Sequence, residues 1–295
     1  IQVLWCLTQN VPTWEIPYVF PLMDLAHRIH PYFPEVSRDG IWDDREDFFG
    51  KTLGRASFVL AGTARGKEEI VRFYQVPEEK VRVVPLPTPS FAAVAPDMEA
   101  DHVLKKHGLP TDFLFYPARF WPHKNHVAIL RAVREIKDRG GREYPVVFAG
   151  YDSGNRSHIE KAVRDLGLNA QVHILGHVSY EDLACLYRKA CALVFPSFFG
   201  PDNLPPLEAF ALGCPVLAAD VPGAREQLGD AALYFDPSDY RSVAEAVRRL
   251  QGDDALRGGL VEKGRRRAGK WRAEQYIDSV MSLMDEFEPV RSCWP

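Results

Sequence analysis

The chain has 295 residues and a mass of 33.4 kDa, a length that fits two domains of ~150 residues each. Its 46% hydrophobic and 26% charged residues exclude a disordered or collagen-like chain, and no apolar run reaches the ~18–20 residues needed to span a bilayer. The 36 basic and 40 acidic residues give a formal net charge of −4, so the overall charge does not favour a nucleic-acid partner.

The first part of the chain predicts few regular elements. A strand lies within residues 55–62, a helix covers Lys67–Tyr74, and another strand covers Val81–Val84. The proline-rich stretch that follows, continuing to Pro96, is typical of an extended linker. We therefore predict an N-terminal domain over residues 1–97. Because this domain is short and begins at an isoleucine inside an apparent strand, we expect the natural protein to carry further residues upstream.

From residue 112 to residue 251, short apolar segments alternate with segments of helical periodicity. The predicted strands are Phe113–Pro117, Val146–Gly150, Val172–Leu175, Ala192–Pro196, Val216–Ala219 and Ala232–Phe235. The predicted helices are Asn125–Arg139, His158–Leu166, Ser179–Ala190, Leu207–Leu212, Ala224–Leu228 and Tyr240–Gln251. This alternation favours an α/β fold with a doubly wound parallel sheet. We predict a C-terminal domain over residues 98–270 and a helix over 271–295 that packs back on the N-terminal domain.

Two cations, Arg119 and Lys124, follow the first predicted strand of this region. Ligands of doubly wound sheets bind outside the carboxyl ends of the strands, and the start of the next helix adds positive potential. The loop therefore suits a diphosphate. A basic loop that only forms surface salt bridges is the alternative.

A second candidate segment follows the fourth strand of this region, where a loop rich in glycine, proline and asparagine precedes a helix that begins at Pro205 or Pro206. The backbone amides of Asn203 and Leu204 are candidate ligands of an anion. We expect Glu208 in the first helical turn, where its carboxylate can bind a pair of ribose hydroxyls. In the alternative interpretation, Glu208 only caps the helix.

Three segments occur in order along the chain: Arg-x4-Lys-Asn from Arg119, Pro-Pro-Leu-Glu-Ala with Gly-Cys-Pro-Val after it, and residues 221–230. Together they resemble the retaining, nucleotide-sugar-dependent "group 1" glycosyltransferases, over residues 110–250 and more weakly over 20–90. The resemblance implies a GT-B fold, in which two Rossmann-like domains face a cleft, with the N-terminal domain incomplete in this chain. It also implies that a sugar is transferred from a UDP- or GDP-linked donor to a glycan or lipid-linked acceptor, with retention of configuration and without a metal ion or other cofactor.

The resemblance assigns roles to individual residues. Arg119 and Lys124 correspond to the cations on the donor phosphates, and Glu208 corresponds to the glutamate that binds the ribose. The amides of Asn203 and Leu204 correspond to those that contact phosphate. The loop that holds the nucleobase in the family corresponds to Gly176, His177 and Val178.

One position departs from the family pattern. A second glutamate, which contacts the donor sugar in relatives, is replaced here by Gly200. We take Gly200 and Asp202 as donor-binding candidates, with Asp202 supplying the lost polar contact. The departure keeps one alternative open, a sugar-nucleotide-binding protein without catalytic activity. A sugar-nucleotide epimerase on a similar two-domain fold is a further alternative.

The segment from Met23 to Val36 resembles the part of the family that lies near the donor sugar and the acceptor. Asp24, His27 and Arg28 are therefore candidates for polar groups on the acceptor side. For His27, a purely structural role is the alternative.

Cellular setting is predicted from charge and cysteines. Residues 257–272 carry seven basic residues and one acidic residue, which could contact anionic lipid, whereas a solvated helix face is the alternative. The five cysteines are widely spaced and contain no C-x-x-C pair, which predicts reduced thiols and a cytoplasmic protein, peripheral at the membrane if the basic segment binds lipid. No metal site is predicted.

Overall fold

A computed structural model describes residues 3–93 and 100–293. The chain divides into two compact units. The first comprises residues up to Pro87, the short segment Gly200–Asp202 and the chain from Ala273 onward; the second comprises Thr88–Phe199 and Asn203–Arg272. The domain boundary predicted between residues 97 and 98, and the isoleucine at position 1, lie outside the described residues.

The first unit contains a four-stranded parallel sheet in the order β1-β2-β3-β4. Its strands are β1 Leu4–Trp5, β2 Tyr18–Leu22, β3 Phe58–Ala61 and β4 Val81–Val83. Its helices are α1 Ala26–Ile29, α2 Pro34–Ser37, α3 Ile41–Thr52, α4 Ala64–Tyr74 and α14 Ala273–Arg291, with 3-10 turns at Arg38–Gly40, Leu53–Arg55 and Glu78–Lys80. Every residue of β2 and β3 is buried, because this sheet is covered on both faces.

The second unit contains six parallel strands and nine α-helices within the described residues. The strands are β5 Leu114–Pro117, β6 Val146–Ala149, β7 Val172–Ile174, β8 Ala192–Phe195, β9 Val216–Ala219 and β10 Ala232–Phe235. The helices are α5 Ser90–Ala93, α6 Ala100–His107, α7 His126–Asp138, α8 Arg156–Asp165, α9 Tyr180–Lys189, α10 Leu204–Ala211, α11 Ala224–Leu228, α12 Tyr240–Gln251 and α13 Asp254–Lys270. Short 3-10 turns cover Pro122–Lys124 and Gly229–Ala231.

The strand order of the second unit locates its ligand site. The order β10-β9-β8-β5-β6-β7 is the doubly wound order in which the chain starts in the middle of the sheet and reverses direction once. The reversal lies between β5 and β8, where Leu114 pairs with Ala192. Ligands of such sheets bind at this switch point, outside the carboxyl ends of the strands.

The six predicted strands of the second unit are confirmed, and β9, α11, β10 and α12 have the predicted bounds. Strand β2 and helices α1, α2 and α3 of the first unit were not predicted. Strand β2 contains Pro21, which argues against a strand inside a sheet, yet β2 lies between β1 and β3. Helix α3 is rich in charged residues and lacks a clear apolar stripe.

The basic segment near residue 260 forms helix α13, which packs against α10. A Cβ atom at Gly264 would lie 2.6 Å from the Phe210 ring, so only glycine permits this approach. Arg267 donates hydrogen bonds to backbone carbonyls at the end of α11, and Lys263 lies 3.0 Å from Asp230. Part of the basic charge of α13 therefore forms hydrogen bonds and an ion pair within the second unit. Contact with anionic lipid stays a prediction.

The C-terminal helix α14 clusters with the first unit. The rings of Trp5 and Tyr276 lie 6.1 Å apart, those of Phe58 and Phe287 lie 6.3 Å apart, and Arg82 pairs with Glu286. Within residues 3–93 and 100–293, no helix is both long and apolar enough to cross a membrane. All five cysteines are free thiols, of which four are buried and Cys293 is exposed.

Candidate functional site

The loops after β5 and β8 meet at the switch point of the second unit. The His123 ring stacks on Phe199, with centroids 4.0 Å apart and planes inclined by 16°. The Phe198 amide donates to the His123 carbonyl oxygen at 3.0 Å. Since the predicted phosphate cations belong to the first loop and the predicted ribose ligand follows the second, the structure brings the two sequence motifs of this unit to one place.

Arg119 is exposed in the segment that continues β5 alongside β6. The amides of the residues on either side, Ala118 and Phe120, donate to carbonyl oxygens of Ala149 and Tyr151 at 2.8 and 3.0 Å. Its guanidinium carbon lies 5.9 Å from the centre of the Tyr151 ring. The backbone at Arg119 is thus fixed from both sides, while the charged end faces solvent.

Lys124 ends the 3-10 turn before α7 and is half-buried. Its carbonyl oxygen accepts a hydrogen bond of 3.0 Å from the hydroxyl of Tyr116, which is fully buried in β5. Its ammonium nitrogen lies 5.6 Å from the centre of the Phe195 ring, the last residue of β8. The ammonium group therefore stands at the carboxyl ends of the two strands that flank the switch point.

Asn125 connects this loop to two others. Its backbone is left-handed, with φ of 55°, and its side-chain Nδ2 donates to the carbonyl oxygens of Pro196 at 3.2 Å and Pro237 at 2.8 Å. Asparagine tolerates the left-handed conformation better than most residues. The side chain thereby holds the backbone next to Lys124 against the ends of β8 and β10.

We expect Asn125→Ala to lower the free energy of unfolding by about 1–3 kcal/mol, because the carbonyls of buried Pro196 and half-buried Pro237 lose their donor and alanine strains the left-handed backbone. Asn125→Gly loses the same bonds without the strain, so it should be the milder variant. Turnover should fall in both, since Lys124 loses its anchor. Urea unfolding and initial rates of turnover check this. Wild-type stability and turnover in both variants would show that the hydrogen bonds of the Asn125 side chain contribute to neither.

His126, the first residue of α7, belongs to the packing beneath the loop. It is fully buried and stacks on Phe120, with centroids 4.7 Å apart and planes inclined by 16°. Burial, reinforced by the charge of Lys124, lowers the pKa of His126 to about 3. The imidazole is therefore neutral near pH 7, and it packs against Tyr116 and Phe120 beneath the loop.

Glu208 lies on helix α10, and here the prediction of its place was wrong. The helix begins at Leu204 with Asn203 as N-cap, so Glu208 falls in the second turn and does not cap the helix. Its side chain is buried, and the hydroxyl of Tyr187 donates to Glu208 Oε2 at 2.7 Å. The same hydroxyl lies 3.2 Å from the Pro205 carbonyl oxygen.

The electrostatic setting of Glu208 follows from these contacts. Burial raises the pKa of the Glu208 carboxyl, and the hydrogen bond from Tyr187 opposes this shift. A buried carboxylate with one neutral donor retains oxygen lone pairs for further donors. The group is therefore suited to accept hydrogen bonds from a diol such as the 2′- and 3′-hydroxyls of a ribose.

The two predicted phosphate amides differ in the structure. The Asn203 amide donates to the side-chain Oε1 of Gln227 at 3.0 Å, so it is already used within the protein. Leu204 is the first residue of α10, and the first N–H groups of a helix have no partner within the helix. Of the two candidates, the Leu204 amide fits better the role of an anion ligand.

The predicted nucleobase loop follows β7. Gly176 has φ of 72°, and its carbonyl oxygen accepts from the Gly150 amide at 2.7 Å. His177 is exposed and stacks on Tyr151, with centroids 4.5 Å apart and planes inclined by 14°, while Val178 packs against the core. Glycine is required at position 150, since a Cβ there would lie 2.1 Å from the Ala118 carbonyl oxygen.

Gly200 and Asp202, predicted to bind the donor sugar, belong to the segment that clusters with the first unit. Gly200 has φ of 128°, which side chains rarely permit. Asp202 Oδ2 accepts a hydrogen bond of 2.7 Å from the Leu86 amide, and the Asp202 side chain approaches Gly62 so closely that a Cβ there would clash. One carboxylate oxygen of Asp202 is thus engaged by the protein backbone.

The acceptor-side candidates form an ionic cluster in the first unit. The His27 ring is fully buried, with Nε2 2.7 Å from Glu46 Oε1 and 3.2 Å from the Tyr74 hydroxyl. Arg28 pairs with the same Glu46 carboxylate through two nitrogens. Asp24 Oδ1 accepts from Arg45 at 2.8 Å and from the Ala26 amide at 2.9 Å.

This arrangement favours the structural alternative for His27, because a side chain without exposed surface does not reach a bound acceptor. Burial is the largest influence on the His27 pKa and lowers it. Arg28 and Asp24 are each about one-third exposed and keep surface for a ligand. Their role toward an acceptor stays a prediction.

A comparison with known families decides the chain's membership. Residues 99–267, more than half of the chain, match the family described as "Glycosyl transferases group 1". The chain belongs to the group 1 glycosyl transferases. The match covers most of the second unit, including the switch point and both loops that meet there.

Similar proteins extend this finding. The chain is 27% identical over 215 residues to O-antigen chain mannosyltransferase B of Escherichia coli, covering 72% of this chain and 56% of that protein. It is 29% identical over 200 residues to O-antigen chain mannosyltransferase RfbU of Salmonella typhimurium, covering 68% of this chain and 52% of that protein. The chain thus spans about half the length of these relatives.

Solved structures confirm the GT-B fold. Sucrose-phosphate synthase from Thermosynechococcus elongatus superposes with a TM-score of 0.77 at 21% identity, covering 93% of this chain and 69% of that one. Anabaena HepE in complex with UDP-glucose also gives a TM-score of 0.77, at 16% identity, covering 92% of this chain and 72% of that one. At these identities the likeness establishes the fold alone.

Three contributions to the site of this group 1 glycosyl transferase were missed by sequence reasoning. They are the hydroxyl of Tyr187 on Glu208, the side chain of Gln227 on Asn203, and the carboxamide of Asn125. Only the last had a signal, since it directly follows Lys124 in a recognised motif. Among the residues that the structure describes, no group of three or more His, Cys, Asp or Glu side chains is arranged to hold a metal ion.

Proposed function

We propose that this protein transfers a hexose from a nucleoside diphosphate sugar to a hydroxyl of a glycan or lipid-linked acceptor, with retention of configuration at the anomeric carbon. The observation that carries the proposal is the switch point between β5 and β8, where the loop of Arg119 and Lys124 meets the loop that leads to Glu208. Cations on one side and a diol-binding carboxylate on the other match the diphosphate and the ribose of such a donor.

In the proposed reaction, the bond between the anomeric carbon and the diphosphate oxygen breaks, and a bond from the acceptor oxygen forms on the same face of the sugar. The acceptor hydroxyl loses its proton to an oxygen of the departing diphosphate. Negative charge develops on that leaving group, and preorganised positive charge stabilises it. Arg119 and Lys124 supply this charge, so the proposal needs no metal ion.

The relatives' names favour mannose as the sugar and a bacterial polysaccharide as the acceptor, because both O-antigen proteins are named as mannosyltransferases. Incubation of the purified protein with GDP- and UDP-linked hexoses and a panel of glycan acceptors tests the proposal. We expect one donor to release its nucleoside diphosphate in step with product formation, and NMR of the product to show the donor's anomeric configuration.

Gly200 favours a second candidate, a protein that binds a sugar nucleotide without turning it over, because the usual donor-contacting glutamate is absent there. The same incubation separates the two. Tight donor binding without transfer or hydrolysis, across the whole acceptor panel, would support the second candidate. Product formation would exclude it.

A further inference from the structure

Gln227, on the last turn of α11, holds the backbone of Asn203 at the start of α10. Its side-chain Oε1 accepts from the Asn203 amide at 3.0 Å, and its Nε2 donates to the Asn203 carbonyl oxygen at 2.9 Å. One carboxamide thus bonds both backbone polar groups of Asn203, and the reciprocal pair fixes the orientation of the Asn203 backbone. The Asn203 side chain, in contrast, does not cap the helix.

This pair of hydrogen bonds between Gln227 and Asn203, the clamp, is in turn held in place by α13. The Arg267 guanidinium donates to the backbone carbonyl oxygens of Glu226 and Gln227. The guanidinium lies against Gly229, whose φ of 57° favours glycine; a Cβ there would lie 2.7 Å from an Arg267 nitrogen. The position of Gln227 is therefore set by a helix that also packs on α10 through Gly264.

Two predicted donor ligands depend on where α10 starts. Leu204 directly follows the clamped Asn203 and supplies the first N–H of the helix, and Glu208 lies one turn further. A helix N-terminus binds anions only when its N–H groups point at them, and small displacements of such groups are costly. A shift of the Asn203 backbone would therefore move the anion-binding end of α10 first.

We propose that Gln227 is a positioning residue for the donor diphosphate: it orients the start of α10 so that the Leu204 amide faces the phosphates. The proposal rests on the proposed function, because it assigns the same donor site. Gln227 does not itself touch the donor; it acts through the backbone of Asn203.

Gln227→Met tests this, because methionine has a similar size and makes neither hydrogen bond. Gln227→Glu is a second variant, in which an acceptor for the Asn203 amide remains but a carboxylate faces the Asn203 carbonyl oxygen. The matched control is Gln171→Met in the same unit. Gln171 is buried and its carboxamide contacts Tyr144 O at 3.3 Å and Lys137 Nζ at 3.4 Å, at the amino ends of β6 and β7.

Calorimetry with UMP, UDP, GMP and GDP measures how much more tightly the protein binds each diphosphate than the corresponding monophosphate. This affinity ratio is the diphosphate gain. In Gln227→Met and Gln227→Glu we expect this gain to shrink by about tenfold, corresponding to ~1.4 kcal/mol. Gln171→Met should keep the wild-type gain even if its thermal stability falls. A merely structural role for Gln227 would lower stability and leave the gain unchanged.

The outcomes separate the two proposals. If the wild type binds neither UDP nor GDP, the proposed function fails. If the wild type binds one of them and both Gln227 variants keep its diphosphate gain, the positioning role is overturned while the proposed function stands. A loss of the gain in Gln171→Met equal to that in Gln227→Met would also overturn it, since the effect would then not depend on the clamp.

Discussion

Replacing Lys124 with alanine is expected to lower turnover by ~100-fold or more, the effect of removing one preorganised group that stabilises developing charge. The Lys124 ammonium stands at the carboxyl ends of β5 and β8, and its backbone is fixed by Tyr116. Because the geometry is set before the donor binds, the loss should appear mainly in kcat. Arg119→Ala should act in the same direction, since its backbone is held on both sides.

Arg142→Ala is a suitable control for both variants. Arg142 is a cation of the same unit that pairs with Asp112 on the surface, 3.2 Å away, before the amino ends of β5 and β6. Its removal should leave turnover unchanged. All three substitutions should change the free energy of unfolding by less than about 1 kcal/mol, because Arg119 and Arg142 are exposed and Lys124 is half-buried. Near-normal turnover in Lys124→Ala would contradict the assignment of the phosphate site.

Glu208→Gln is expected to weaken nucleoside diphosphate binding and to stabilise the free protein. Glutamine keeps the shape but loses the charge that strengthens hydrogen bonds from the ribose, which should cost ~1–2 kcal/mol of binding free energy. In the free protein, however, burial disfavours the charged carboxylate and raises the Glu208 pKa. A neutral amide avoids that penalty and still accepts from Tyr187.

The pH dependence of stability follows from the same shift. An acid with a raised pKa in the folded state holds more protons than in the unfolded state once the pH exceeds its ordinary value near 4.5. Its contribution to the free energy of unfolding therefore falls as pH rises through the interval up to the folded pKa. Glu208→Gln should lack this decline, so its advantage in Tm over the wild type should grow from acidic to neutral pH.

Calorimetry of both proteins with ribo- and 2′-deoxyribonucleoside diphosphates forms a double-mutant cycle for Glu208 and the ribose. Removing the hydroxyl should cost the wild type much of its affinity and the variant little. Tyr187→Phe offers a control, since it removes the hydroxyl that lowers the Glu208 pKa while leaving the carboxylate in place. A coupling energy near zero would show that Glu208 does not contact the ribose.

The second unit was predictable from sequence because its strands are short, apolar and separated by helical segments. The loops with Arg119, Lys124 and Glu208 could be assigned to strand ends from the sequence. The contact between these loops could not be predicted in the same way. It depends on β5 pairing with β8, a contact between segments that lie far apart in the sequence. Knowledge of the family supplied that link.

Side-chain partners were less accessible to sequence reasoning. Tyr187 and Glu208 are 21 residues apart, and Asn203 and Gln227 are 24 residues apart, on different helices or helix ends. No periodicity relates such pairs, because packing between elements brings them together. His27 is a similar case. Its neighbours in the sequence do not show whether the ring is exposed or, as in the structure, buried against Glu46.

The strand order of the second unit also has a consequence for how the protein folds during synthesis. Strands β5, β6 and β7 are neighbours in the sheet and leave the ribosome in sequence, so half of the sheet can assemble at once. Strand β8 must return to the open edge of β5, and Leu114 meets Ala192 only after a loop of 77 intervening residues closes. Such non-local pairing slows folding. Until it occurs, the edge of β5 is exposed to wrong partners, and nascent chains that stop before β8 keep that edge unpaired.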